Sequence, residues 1–105
     1  MTAVAALPAL QHTDAGPLRV AFVDAGPRSG PPVLLMHGFP YDMHAYADVL
    51  PRLVAAGCRV IVPSLRGFGA TRFLHADTPR SGEQAALGAD LLALLDVLQI
   101  HRAVL

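Results

Sequence analysis

The clearest chemical potential in this sequence lies in His37-Gly38-Phe39-Pro40, which follows directly on four apolar residues, Val33-Leu34-Leu35-Met36. The apolar run predicts a strand covered on both faces. Neither Gly38 nor Pro40 can extend it, so the backbone is expected to turn sharply at Phe39. Gly38 has no Cβ and lets a ligand atom approach the main chain. Pro40 has no N–H, which leaves the Phe39 N–H as an uncommitted donor at the carboxyl edge of a strand, a position suited to an oxyanion. A second stretch, Arg66-Gly67-Phe68-Gly69, follows another apolar run, Cys58 to Pro63. Loops at that edge of a parallel sheet line ligand crevices, which makes Arg66, Phe68, Tyr41 and Asp42 candidate pocket-lining residues.

Each of these residues also has a plainer role. An Arg on a Gly-rich loop commonly bonds backbone carbonyls and a carboxylate to hold the loop. Tyr41, Asp42 and Phe68 could serve surface or core packing. His37 invites assignment as a general base, but a His at a strand end more often bonds the neighbouring loop, and a structural role is expected. The five His, at positions 12, 37, 44, 75 and 101, match no zinc-binding spacing, so no metal site is expected.

The elements that must position these residues can be read along the chain. Ala9 to Thr13 and Leu18 to Val23 predict an opening hairpin around Asp14-Ala15-Gly16-Pro17. Gly26 to Pro32, with three prolines and two glycines, predicts a surface loop delivering the chain to Val33. Tyr46, Val49, Leu50, Leu53 and Val54 recur at helical spacing up to Gly57, a C-terminal cap, with Pro51 in a first turn or at a kink. Cys58 to Pro63 predicts a second buried strand, giving a strand, helix, strand unit. From Ser81, Ser-Gly-Glu-Gln reads as a capping box for a long helix carrying Leu87, Leu91, Leu94, Leu95 and Leu98 on one face. Ala103-Val104-Leu105 then reads as the start of a further buried strand.

Composition narrows the function. The chain has 105 residues, 53% of them hydrophobic, which indicates one globular α/β unit. Eight Arg, no Lys and eight acidic residues balance in charge, so no basic face invites nucleic acid or an anionic membrane. The absence of Lys also excludes a phosphate-binding Walker loop, and Arg72 stands where a dinucleotide fingerprint needs a third Gly. Cys58 has no internal partner and is expected to be a buried, inert thiol. The apolar start, Met1 to Leu10, lacks basic residues and contains Pro8, no run approaches the length of a bilayer span, and a cytoplasmic location is expected.

Taken together, His37-Gly38-Phe39-Pro40 after one strand, Arg66-Gly67-Phe68-Gly69 after the next, and a Leu-rich helix leading to Ile100-His101-Arg102-Ala103-Val104-Leu105 resemble the N-terminal part of an α/β-hydrolase. Phe and Pro after His-Gly are most similar to the branch of epoxide hydrolases and haloalkane or fluoroacetate dehalogenases. The resemblance covers about Leu18 to Leu105. It implies a largely parallel sheet with flanking helices, hydrolysis of a small organic substrate by nucleophilic attack without a cofactor, and Phe39 as one half of the oxyanion hole, supported by His37, Gly38 and Pro40. It also implies that the nucleophile elbow, Gly-x-Asp-x-Gly or Gly-x-Ser-x-Gly, belongs just after Leu105, with the acid and the base further on.

Neither elbow occurs in these residues, so residues 1–105 read as a partial domain that is inactive alone, with possible self-association through an exposed sheet edge. A serine esterase of the same fold and a non-catalytic fragment are the alternatives. Three departures from the family pattern bear on subfamily: Ser64 where relatives often carry Asp, Ala70-Thr71 in place of a common Asp-Ser, and Gln99 in place of a common Gly.

Overall fold

Two residues suffice to turn the chain at its first hairpin. In the structure, a computed structural model that describes residues 9–36, 46, 48–67, 69–80 and 84–104, β1 (Gln11–Ala15) and β2 (Leu18–Ala25) pair antiparallel, with Ala15 opposite Leu18. The expected turn was wider, but Asp14 and Ala15 belong to the strand. Gly16 takes φ 57°, which a side chain would resist, and Pro17 supplies the fixed negative φ that follows it in a tight type II′ turn.

β3 (Pro32–Leu34) runs parallel to β4 (Arg59–Pro63), and β4 in turn pairs antiparallel with β2, giving the order β1-β2-β4-β3. Pro32 was expected in the loop. It can open the strand because the N–H it lacks falls at the strand's first position, while its carbonyl accepts from Val104 N–H at 2.9 Å. On its outer side β3 bridges Val104 in parallel, and Leu34 N–H donates to the Val104 carbonyl at 2.7 Å. The segment expected to start a further strand is therefore paired with β3. Val104 itself is exposed, against the expected burial, because the described residues cover only one side of it.

Alternation along the strands sorts the apolar residues into two layers. Leu18, Val20, Phe22, Leu34 and Ile61 face α2 (Gln84–Val97), which adds Leu94 and is followed by Ile100. Val23, Val60 and Val62 face α1 (Val49–Ala55), which adds Leu50. Pro51 sits in the first turn of α1, where its missing N–H costs no intrahelical bond. Cys58 is half-buried against this second layer, as a free thiol, rather than buried as expected. The predicted cap at Ser81 lies outside the described residues.

Both helices end in the same way. After α1, Cys58 N–H reaches the Leu53 carbonyl at 3.0 Å and Gly57 N–H the Val54 carbonyl at 2.9 Å, a Schellman motif with Gly57 at φ 91°. After α2, Ile100 N–H reaches Leu95 at 2.9 Å and Gln99 N–H reaches Asp96 at 3.1 Å, but the left-handed position, φ 59°, is held by Gln99. A side chain there costs about 1 kcal/mol relative to glycine. Gln99→Gly is therefore expected to stabilise the protein by about 1 kcal/mol, read as a raised denaturant midpoint at unchanged slope; a lowered midpoint would refute the assignment.

Candidate active-site edge

β4 leaves β2 at Pro63, and β5 (Arg72–Phe73) takes up the same edge of β2 opposite Arg19 and Leu18. Between them the chain makes the Gly-rich excursion. Ser64 N–H still donates to the Ala21 carbonyl at 2.8 Å, but Ala21 N–H donates instead to the hydroxyl of Thr71 at 3.0 Å, and that hydroxyl donates to the Ser64 carbonyl at 2.7 Å. The buried Thr71 side chain thus stands in for a missing rung of the ladder and closes the excursion at its base.

Arg66 reaches back from this loop to α2. Its Nε and one terminal nitrogen both donate to Asp90, at 2.6 Å each, with both side chains almost fully covered. The hydrogen bonds to Asp90 push the guanidinium above its ordinary pKa, burial opposes the shift, and the carboxylate's charge adds to it. The stability tied to the Arg66 guanidinium is therefore present at all pH below its ordinary value and is lost only as pH rises through the raised one, in strong alkali. Arg66 also borders a small apolar cleft of about 20 Å³ with Leu18, Pro63, Leu87 and Leu94, room for roughly one water.

Two guanidinium groups approach the Phe73 ring, Arg80 at 3.9 Å and Arg66 at 5.4 Å from its centre. Arg80 also donates to the Thr78 carbonyl at 3.0 Å, so one side chain gathers the polar stretch before α2. On the same face a second buried pair, Arg59 with Asp24 at 2.7 and 3.0 Å, ties β4 to β2, and its hydrogen bonds raise the Arg59 guanidinium in the same way.

Of the candidate site residues, His37, Gly38, Phe39, Pro40, Tyr41, Asp42 and Phe68 lie outside the described residues. The structure describes what flanks them. Leu35 N–H donates to the Ile61 carbonyl at 3.0 Å, so β3 keeps its pairing up to the residue before Met36. Tyr46 then donates its hydroxyl to the Met36 carbonyl. Three residues that organise this edge were not singled out from sequence. Asp90 could have been found as one carboxylate among Leu87, Leu91 and Leu94 on a buried face, where a charge demands a partner. Tyr46 fitted the apolar spacing of α1, which concealed its hydroxyl, and the pairing of Thr71 with Ala21, fifty positions apart, left no local signal.

A partly antiparallel sheet that becomes parallel at β4, β3 and Val104, with helices on both faces, defines an α/β protein whose loops gather at the carboxyl ends of the parallel strands. This chain belongs to the alpha/beta hydrolase fold family, whose family model matches residues 31–105. A solved structure of a protein assigned as an epoxide hydrolase, from Klebsiella pneumoniae, superposes with a TM-score of 0.88 at 53% identity, over 90% of this chain and 31% of that one. Epoxide hydrolase A of Mycobacterium tuberculosis is 33% identical over 92% of this chain and 30% of its own length. A haloalkane dehalogenase of Psychrobacter cryohalolentis is 54% identical over 61% of this chain and 20% of its own. The chain corresponds to the N-terminal part of these relatives and spans between a fifth and a third of their length.

Two substitutions test how the edge is held. Asp90→Asn removes the counter-charge from a covered guanidinium and is expected to cost about 3 kcal/mol. Thr71→Val strands the Ala21 N–H and the Ser64 carbonyl and is expected to cost about 2 kcal/mol. Chemical denaturation reads both, and a loss below about 0.5 kcal/mol in either would show that the group is not supporting the loop.

Proposed function

We propose that this chain is the oxyanion-hole portion of a cytoplasmic hydrolase that attacks an epoxide or a haloalkane through a carboxylate nucleophile carried beyond Leu105. The observation that supports this most is the strand arrangement at the Val33–Val104 bridge. β3 and the Val104 segment are adjacent and parallel, so the chain leaves both at the same end of the sheet. A nucleophile a few residues past Val104 would stand beside the His37–Pro40 stretch, where the Phe39 N–H is the proposed donor. The names of the relatives support the carboxylate branch over the serine one.

The chemistry follows from that pairing. A carboxylate oxygen of the nucleophile attacks carbon and forms an ester. The breaking carbon–halogen bond releases halide, or the breaking epoxide C–O bond leaves an alkoxide that takes up a proton. Water then attacks the ester carbonyl, losing its proton to a base, and the negative charge on the carbonyl oxygen is where the Phe39 N–H would act. Collapse expels the alcohol and restores the carboxylate. The donor therefore serves the second step, and no cofactor takes part. A serine nucleophile would need the same donor in its first step, which makes an esterase the alternative reading.

Three measurements bear on this. The codons within roughly ten residues after Leu105 are expected to encode Gly-x-Asp-x-Gly, since a strand of five or six residues must first be completed. A Gly-x-Ser-x-Gly elbow would move the function to esterase, and neither elbow would defeat the hydrolase reading. In a single turnover in ¹⁸O-water, the longer protein is expected to retain label in its own carboxylate and to release an unlabelled alcohol oxygen. The 105-residue chain alone is expected to show no saturable turnover of epoxides or activated esters and to self-associate through its open sheet edge in sedimentation. Saturable turnover absent from a Phe39→Pro control, or a monomer with one cooperative melt, would overturn the respective expectation.

A further inference from the structure

We propose that the outer edge of β1 pairs with the same edge of a second copy, antiparallel and centred on Thr13. This rests on the self-association expected above, names the edge that carries it, and does not depend on the reaction. Among the described strands β1 ends the order, on the opposite side of the sheet from Val104. Opposed residues of an antiparallel pair alternate between bonding each other and pointing their backbone groups away. Ala21 points away from β1, since its carbonyl accepts from Ser64 N–H at 2.8 Å and its N–H donates to Thr71 at 3.0 Å. Its partner across the ladder is His12. The backbone groups of His12, and by the same alternation those of Asp14, are therefore directed to the outer edge.

Charge chooses the register. Residues with outward backbone groups must meet each other, which lets a two-fold axis cross the paired edges at His12, Thr13 or Asp14. At His12 it sets imidazole against imidazole, and at Asp14 carboxylate against carboxylate. At Thr13 it sets His12 opposite the partner's Asp14 and Asp14 opposite the partner's His12, so that each opposite-charge pair is also a hydrogen-bonded backbone pair. His12 and Asp14 are exposed, on the face of the pleat away from Ala15, which is buried in the layer under α2. On the α2 side Gln11 is exposed and Thr13 half-buried, so the helix leaves this part of the strand open. β1 contains no proline, lysine or bulge that would blunt the edge.

The same pair makes the contact pH-sensitive. On its face of the sheet His12 has Asp14 two positions along β1 and Arg19 diagonally across on β2. Asp14 lies directly opposite Arg19, which in turn faces Arg72 on β5. The partner's Asp14 favours a charged imidazole in the dimer, so association is strongest below the ordinary histidine range and weakens as pH rises through it.

In sedimentation of the 105-residue chain, the dissociation constant of the dimer is expected to fall about tenfold from about pH 8 to about pH 6. His12→Asp is expected to weaken the dimer about tenfold at the lower pH, and His12→Arg to keep it while removing the pH dependence, with the melting temperature nearly unchanged because position 12 is exposed. In a Cys58→Ser background, Thr13→Cys is expected to cross-link two copies on oxidation with glutathione disulfide, whereas Gln11→Cys is not. Amide protection at His12 and Asp14 is expected to grow with protein concentration. Association that His12→Asp leaves unchanged would overturn this edge while self-association stands. Equal cross-linking of the two cysteine variants would overturn the register. Protection at His12 and Asp14 that is independent of concentration would overturn the pairing, and a chain monomeric at every concentration would overturn it together with the expectation it rests on.

Discussion

Everything in this structure hangs on β4, whose five residues are all buried. A strand covered on both faces can exist only if each backbone group finds a ladder partner and each face a cover. β2 and β3 supply the partners. Val60 and Val62 turn to α1, and Ile61 turns to α2. Arg59 is the exception among them, and it is carried into the covered region only with Asp24, whose carboxylate meets the guanidinium through two hydrogen bonds. Such a pair adds less to stability than to specificity, since it fixes which register of β2 and β4 leaves no charge alone.

The carboxyl edge of the sheet is arranged by what happens where these strands end. Past β3 the Tyr46 hydroxyl donates to the Met36 carbonyl, and past β4 the Thr71 hydroxyl donates to the Ser64 carbonyl. At Ser64 the Thr71 hydroxyl replaces a ladder bond to Ala21. The Gly-rich loop is then fastened to α2 by Arg66 and Asp90 and propped on Phe73 by the same arginine and Arg80. Loops that carry chemistry must leave the sheet, and each departure leaves polar groups that something other than the sheet has to satisfy.

This division explains the placing of the arginines. With no lysine in the chain, every cationic side chain has a planar guanidinium that can grip a carboxylate with two bonds or lie on an aromatic ring. Arg59 and Arg66 grip carboxylates at covered joints, and Arg80 lies on the Phe73 ring at the surface. At these three positions charge serves construction.

The local sequence by itself determined the hairpin, because Gly16-Pro17 allows few turns, and the strands at Val33 and Arg59, because apolar β-branched runs bounded by Gly and Pro have little else to form. It also determined the face of α2, from leucines at helical spacing, and the family, from the order of two Gly-containing turns after two strands. What only the tertiary structure decided are the long-range pairings: Arg66 with Asp90, Arg59 with Asp24, Thr71 with Ala21, and Val104 with Val33. Periodicity reports which side of an element is apolar, since that is written within a few residues. It carries no record of which distant donor meets which acceptor, because that depends on how the layers stack and where each strand runs out.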